Sequence, residues 1–181
     1  MQTESPEALR QRLPYRDCAG VALFNRQGKV LIGRRRMGDD PEESALHGAP
    51  WQMPQGGIDK GEAPLDAARR ELFEETSVSS IDLVAEAPDW VLYDLPDDML
   101  GSALKGKYRG QRQRWFAFLF TGEEGEIDVL APGGGKFHAE FDDWRWEELE
   151  RLPELIVAFK RDAYAAVVAA FADIPERVRH G

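Results

Sequence analysis

The run Trp115-Phe116-Ala117-Phe118-Leu119-Phe120 puts large apolar side chains on both faces of one extended segment. Alternate residues of a strand point to opposite sides, so Trp115, Ala117 and Leu119 share one face and Phe116, Phe118 and Phe120 the other. A strand apolar on both faces is buried on both, which predicts that 113–121 lies at the centre of a sheet. Segments 17–25 and 29–36 are also β-rich and flank Asn25-Arg26-Gln27-Gly28, whose asparagine and glycine tolerate the dihedrals of a tight turn. They are expected to pair antiparallel. Residues 51–53, 81–85, 90–95 and 143–146 read as further strands.

Two stretches carry helical periodicity. After Pro64, which the first turn of a helix tolerates, Leu65, Ala68, Leu72 and Phe73 recur at steps of three and four and predict a helix over 65–77. Ile156, Phe159, Ala163 and Val167 predict a second helix over 153–171. Gln55-Gly56-Gly57 reads as a glycine-rich turn, and 37–50, acidic and broken by Gly38, Pro41, Gly48 and Pro50, as a loop able to act as a mobile flap. Residues 1–13 are polar and expected to be poorly ordered, and 14–175 to form a single domain. The three consecutive glycines in 131–136 form a loop that lacks the GxxxxGK[ST] spacing of a phosphate-binding loop.

With 181 residues, 43% of them apolar, the chain can bury one core of ordinary size. No run approaches the roughly 20 apolar residues of a membrane span, and the first residues lack the apolar stretch of a secretory signal, so a cytoplasmic protein is expected. Cys18, the single cysteine, sits in an apolar run and reads as a buried, inert thiol. A formal net charge of −10 argues against coating duplex DNA through a general field. Two segments nevertheless carry only basic charges: Arg26, Lys29, Arg34, Arg35 and Arg36, then Lys105, Lys107, Arg109, Arg112 and Arg114. They are either solvated strand ends or, if they converge beside an acidic site, a rim that holds phosphate.

That acidic site is suggested by GGIDKGEAPLDAARRELFEETSV, residues 56–78. Glu71, Glu74 and Glu75 crowd onto neighbouring parts of one helix face, where like charges repel. An exposed helix can tolerate this, or a divalent cation can relieve it, since Mg²⁺ takes carboxylate, carbonyl and water oxygens. Glycines ahead of the helix let a backbone carbonyl approach the same ion, and Arg70 can orient a neighbouring carboxylate.

The segment resembles the signature of the Nudix hydrolases, GX5EX7REUXEEXGU with U apolar. Gly56, Glu62, Arg70, Glu71, Leu72, Glu74, Glu75 and Val78 fill it in register. Ser77 departs, standing where the family has a glycine that relieves left-handed backbone strain at the helix end. The similarity continues through Tyr15-Arg16, WQMPQGG, WVLYDLP, GQRQRWF, EFDDWRW and FKRDAY, and is to the bacterial RNA 5′-pyrophosphohydrolase and dinucleoside polyphosphate hydrolase subgroup.

The resemblance implies an α/β/α sandwich with a mixed β-sheet between helices. It implies a hydrolase dependent on Mg²⁺, with Mn²⁺ as a substitute, in which water attacks phosphorus in a polyphosphate. Glu71, Glu74, Glu75, Glu140 and the Gly56 carbonyl would hold metal. Glu62, Gly57 and Arg70 would support the site, and Glu74 or Glu140 would take a proton from water. Arg16 and Lys160 would touch phosphates, and Arg35 and Phe159 would hold the nucleobase. Tyr93, Gln111 and Gln113 fall in matching segments, although a strand tyrosine commonly packs a core. Without the resemblance Glu140 is a solvated acid, Phe159 a core residue and Lys160 mere surface.

The implied substrate is 5′-triphosphorylated RNA, converted to a 5′-monophosphate end, with a dinucleoside polyphosphate as the alternative; the oligomeric state stays open. A non-catalytic Nudix sensor would show a lost glutamate or an attached DNA-binding domain, and these 181 residues show neither. A purely acidic interaction module would be indifferent to Glu74→Gln and Glu75→Gln.

Overall fold

A computed structural model describes residues 4–36 and 50–181; of the expected 37–50 flap, all but Pro50 lies outside the described residues. Among the described residues, eight strands form one mixed sheet: β1 (Tyr15–Phe24), β2 (Val30–Arg35), β3 (Trp51–Gln52), β4 (Gln55–Gly57), β5 (Ile81–Glu86), β6 (Val91–Asp94), β7 (Gly110–Phe120) and β8 (Phe141–Glu147). The doubly apolar run is central, as its pattern demands. β7 pairs in parallel with β1 along one edge, from Tyr15↔Gly110 to Phe24↔Leu119, and antiparallel with β5 and β6 along the other.

Helix α1 (Pro6–Arg12) precedes the sheet, α2 (Pro64–Thr76) covers one face, and α3 (Leu152–Leu155), α4 (Arg161–Ala170) and α5 (Ile174–His180) cover the other. Strand alternation divides the core between the two faces. Ala19, Val21, Leu23, Phe116 and Phe118 pack with Ala67, Ala68 and Leu72 of α2. Ala22, Phe24, Trp115 and Ala117 pack with Leu152, Tyr164, Val167 and Ile174. The result is an α/β/α sandwich.

The β1–β2 turn closes as expected. Gly28 has φ +77°, which glycine adopts without steric cost, and Asn25 Oδ1 accepts from the N–H groups of Gln27 (3.1 Å) and Lys29 (3.0 Å). The two strands pair at Phe24↔Val30 and then part: β2 continues against β8 and β3, and β1 against β4. Where they part, β4 brings Gly56 and Gly57 to the site.

Three expectations need correction. Of residues 1–13, expected to lack order, the described ones, 4–13, contain α1, which is capped by Ser5 and anchored where Arg10 donates to the Leu95 carbonyl (2.9 Å) and to Asp97 (2.6 Å). Those partners are distant in sequence and invisible to a local pattern. Gln55-Gly56-Gly57 is a strand paired to β1, not a turn. Its glycines serve close approach: a Cβ on Gly56 would collide with the Glu71 carboxylate, and one on Gly57 with the Arg16 guanidinium.

The helix expected over 153–171 is broken. Ile156 (φ −82°, ψ 158°) and Val157 (φ −54°, ψ 144°) leave helical space, a 3₁₀ turn follows at Ala158–Lys160, and α4 starts at Arg161. Burying both β-branched side chains of Ile156 and Val157 overrides the weak helical preference of that pair. Phe159 and Lys160, in the 3₁₀ turn after the break, line the cavity. Helix α5 lies beyond the expected elements.

Candidate active site

Helix α2 runs from Pro64 to Thr76 and is capped by Ser77, which takes φ +65°. A left-handed serine costs on the order of 1 kcal/mol relative to glycine. Two hydrogen bonds offset it: Ser77 Oγ donates to the Asp128 carbonyl (3.2 Å) and accepts the Gly133 N–H (2.9 Å). The triple-glycine loop therefore closes the helix end.

One face of α2 carries the carboxylates, and Arg70 ties them to the preceding loop. Its Nε and Nη2 donate to the two oxygens of Glu62 at 2.8 and 2.9 Å, Nη2 also to the Gly57 carbonyl at 2.8 Å, and Nη1 to Glu71 at 2.7 Å. Glu74 stands at 3.5 Å from the same guanidinium. Glu62 also accepts the Asp59 N–H at 2.9 Å. The Arg70 hydrogen bond is the main reason the Glu62 carboxyl is held down to about 2.

Glu75 differs. It is 3% exposed, accepts a hydrogen bond from the Gln55 backbone N–H, and its Oε2 has no hydrogen-bond partner among the described residues. Burial pushes its carboxyl well above the ordinary value, helped by the charges of Glu140 and Glu71 and opposed by Gln55 and Arg35. Burial likewise raises Glu71, against the Arg70 hydrogen bond. Orphaned carboxylate oxygens of this kind are rare, because leaving one unpaired costs about 1–3 kcal/mol.

Among the described residues no three acidic, imidazole or thiol side chains already stand close enough to cage an ion; Arg70 draws Glu71 and Glu74 to itself. The donor set still fits a hard divalent cation. It is all oxygen, one buried carboxylate oxygen lacks a partner, and the glycine strand leaves room against Glu71 that a Cβ would fill.

These groups border a cavity of about 780 Å³. Gly56, Gly57, Glu71, Glu74 and Glu140 line it on the α2 side, and Arg16, Arg35, Tyr93, Phe159 and Lys160 also reach it. Glu62, Arg70 and Glu75 stand behind the lining. Tyr93 packs as a strand tyrosine commonly does, at 7% exposed, and it also lines the cavity. Lys160 is not surface: only 5% exposed, its Nζ lies 5.3 Å from the Tyr93 ring centroid and 5.7 Å from that of Phe159. The two rings are 5.8 Å apart.

The basic segments converge only in part. Arg35, Lys105 and Lys107 line the cavity, while Arg34 pairs with Asp142 (2.6 Å), Lys29 with Glu148 (3.5 Å) and Arg109 with Asp94 (2.7 Å). Those residues pair with acids outside the cavity lining. Sequence reasoning missed Met99, Leu104 and Tyr108 in the lining, which sit in a segment with no regular period. It named Gln111 and Gln113 but missed the amide chain they form with Gln55, in which Gln55 and Gln111 line the cavity. Trp115 Nε1, a donor only, gives to Gln113 Oε1 (3.1 Å), so Gln113 Nε2 must give to Gln55 Oε1 (2.7 Å) and Gln111 Oε1 (3.0 Å).

A carboxylate-bearing helix behind a Gly-x₅-Glu strand and loop, braced by one arginine, is the arrangement that the family signature implies, and comparison with known proteins decides the matter. The NUDIX domain profile matches residues 14–167. The chain belongs to the Nudix family. It is 56% identical over 159 residues to the RNA pyrophosphohydrolase of Azorhizobium caulinodans, covering 88% of this chain and 93% of that protein. It is also 56% identical over 164 residues to the RNA pyrophosphohydrolase of Rhizobium meliloti, covering 90% and 96%. Among solved structures, a C. elegans Ap4A hydrolase superposes with TM-score 0.58 at 18% identity over 87% of this chain and 98% of that one. The E. coli dihydroneopterin triphosphate pyrophosphohydrolase gives 0.58 at 21% identity over 86% and 98%. At such identities these two share the Nudix fold. The chain is thus a pyrophosphohydrolase of a family that uses divalent metal ions. None of its described helices is long and apolar enough to cross a membrane.

Proposed function

We propose that this Nudix enzyme removes pyrophosphate from the 5′-triphosphate end of RNA, leaving a 5′-monophosphate, and that it uses Mg²⁺. The observation that carries the reading is one cavity with carboxylates at one wall and Arg16, Arg35, Phe159 and Lys160 at the others. Relatives more than half identical over nine-tenths of the chain bear the name RNA pyrophosphohydrolase, which supports the same substrate.

Glu71, Glu74 and Glu75, with Glu140 and the Gly56 carbonyl, would hold the cation, which would supply charge neutralisation of phosphate oxygens and a more acidic water. Glu62 and Arg70 keep the loop and helix in register, so the carboxylates are placed before substrate arrives. Arg16 and Lys160 bind phosphate oxygens, and Lys160, enclosed by Tyr93 and Phe159, is shielded from competing water. Arg35 and Phe159 stack on the nucleobase next to the triphosphate. A carboxylate oxygen of Glu74 or Glu140 accepts the proton of the attacking water. The new P–O bond forms as the bond to the departing pyrophosphate breaks.

The test is a parallel assay of 5′-triphosphorylated RNA and diadenosine tetraphosphate with Mg²⁺. The expected products are pyrophosphate and 5′-monophosphorylated RNA. A rate favouring the dinucleotide by orders of magnitude would overturn the RNA assignment in favour of dinucleoside polyphosphate hydrolysis.

A further inference from the structure

Two cavity-lining lysines have no part in the chemistry above. The basic run from Lys105 to Arg114 divides into two sets. Arg109, Arg112 and Arg114 are each held by a carboxylate, to Asp94 at 2.7 Å, Asp17 at 2.9 Å and Glu86 at 2.7 Å. Lys105 and Lys107 are exposed, line the cavity, and form no ion pair with any described residue.

Both sit on an excursion between β6 and β7, residues 95–109, and the excursion is pinned. Its ends meet where the Leu95 N–H donates to the Arg109 carbonyl (2.8 Å), and the Arg109 N–H donates to the Pro14 carbonyl (3.0 Å). Leu95, Met99 and Leu100 pack with Tyr93 and Ala163. Helix α1 braces it from outside through Arg10, bonded to the Leu95 carbonyl and to Asp97. Leu104 and Lys105 hold left-handed backbone, φ +52° and +58°, which side-chain-bearing residues keep only when their surroundings impose it. The backbone that carries both lysines is therefore a fixed lip.

Phosphate is the anion that suits them. Lysine is a compact charge with three rotatable donors, matched to a phosphate on a flexible chain rather than to a planar group. Tyr108, between the lysines and β7, adds a ring at the same wall. In the function proposed above, Arg16, Lys160 and the cation meet the triphosphate, and Arg35 and Phe159 meet the adjoining base. The next anions in RNA are the internucleotide phosphates. We propose that Lys105 and Lys107 form a second phosphate subsite that holds the internucleotide phosphates on the 3′ side of the hydrolysed end, making the enzyme select for chain length. This rests on the RNA reading.

The experiment measures kcat/KM for a nucleoside triphosphate and for 5′-triphosphorylated di-, tri- and tetranucleotides, with the wild type, Lys105→Ala/Lys107→Ala and Lys105→Arg/Lys107→Arg. The alanine pair is expected to lose at least fivefold more on the trinucleotide than on the mononucleotide, chiefly through KM, and the arginine pair to recover most of it. The salt dependence of log kcat/KM on the trinucleotide should become shallower by about 1.4, at about 0.7 for each phosphate contact on a single strand. Equal losses on both substrates would assign the lysines to the triphosphate and overturn the subsite, as would no loss. Wild type inert on the whole RNA series would sink the RNA reading and the subsite with it. Wild type active on RNA, with an alanine pair that behaves identically, would sink the subsite alone.

Discussion

The two sides of the cavity are built by opposite means. On the α2 side, charge holds charge over a short span of chain: Arg70 binds Glu62, Glu71 and the Gly57 carbonyl, all within 57–71. One carboxylate, Glu75, is left buried with an oxygen unmatched. On the far side, packing holds charge over long spans. Tyr93 and Phe159 flank the Lys160 ammonium, and Leu95 and Met99 carry the lysine lip. The first side is electrostatically frustrated without a cation. The second offers cations and rings in fixed places. In the function proposed above, chemistry falls to the first wall and selection to the second, and the division can be broken experimentally.

The largest expected effect is on the frustrated wall. Glu74→Gln or Glu75→Gln should lower kcat by about 10²–10³, the scale at which losing one charge-stabilising group tells, with folding retained by circular dichroism. Glu75→Gln carries a second signature. Its folded carboxyl lies above the ordinary 4.5, so the neutral acid suits the fold, and the metal-free wild type loses that stability as pH rises above 4.5. At neutral pH, metal-free Glu75→Gln should melt a few degrees higher than wild type, from about 1–3 kcal/mol of relieved burial at about 2–4 °C per kcal/mol. A variant that melts lower would refute the frustration.

Next in size comes the selecting wall. Phe159→Ala should raise KM for triphosphorylated RNA about tenfold, since stacking on one base is worth about 1–3 kcal/mol. A steady-state series shows whether kcat holds.

Glu62 probes the bracing of the first wall. Its carboxyl is held down to about 2, so the stability it contributes is present above 4.5 and is lost as pH falls towards 2. Glu62→Gln should flatten acid unfolding over that window, and an unchanged acid limb in a pH series of melts would show the brace to be idle. The smallest effect is expected at Ser77→Gly, where released left-handed strain and two lost hydrogen bonds nearly cancel, leaving about 0.5 kcal/mol or less in chemical denaturation.

The same contrast explains what could be read from the sequence. The α2 wall is nearly contiguous, and Gly56, Glu62, Arg70 and the three glutamates stand in a spacing that the helix and its approach impose. The central place of β7 followed from apolar residues on both its faces, and the β1–β2 turn from Asn25 and Gly28. The far wall was harder because long-range contacts decide it. Ile156 and Val157 break a helix that periodicity alone would continue, in order to bury their side chains. Whether a basic residue faces the cavity depends on distant acids: Asp94 takes Arg109, and Asp17 takes Arg112, but none of the described residues takes Lys105. Helix α1 is short and polar, and it is ordered by Leu95 and Asp97, more than eighty residues away.

The division of labour itself is tested most directly by one side-by-side measurement: kcat and KM on triphosphorylated RNA with saturating Mg²⁺ for wild type, Glu75→Gln and Phe159→Ala. The account predicts that Glu75→Gln loses its activity in kcat and Phe159→Ala in KM. Losses in kcat of similar size for both variants would contradict it.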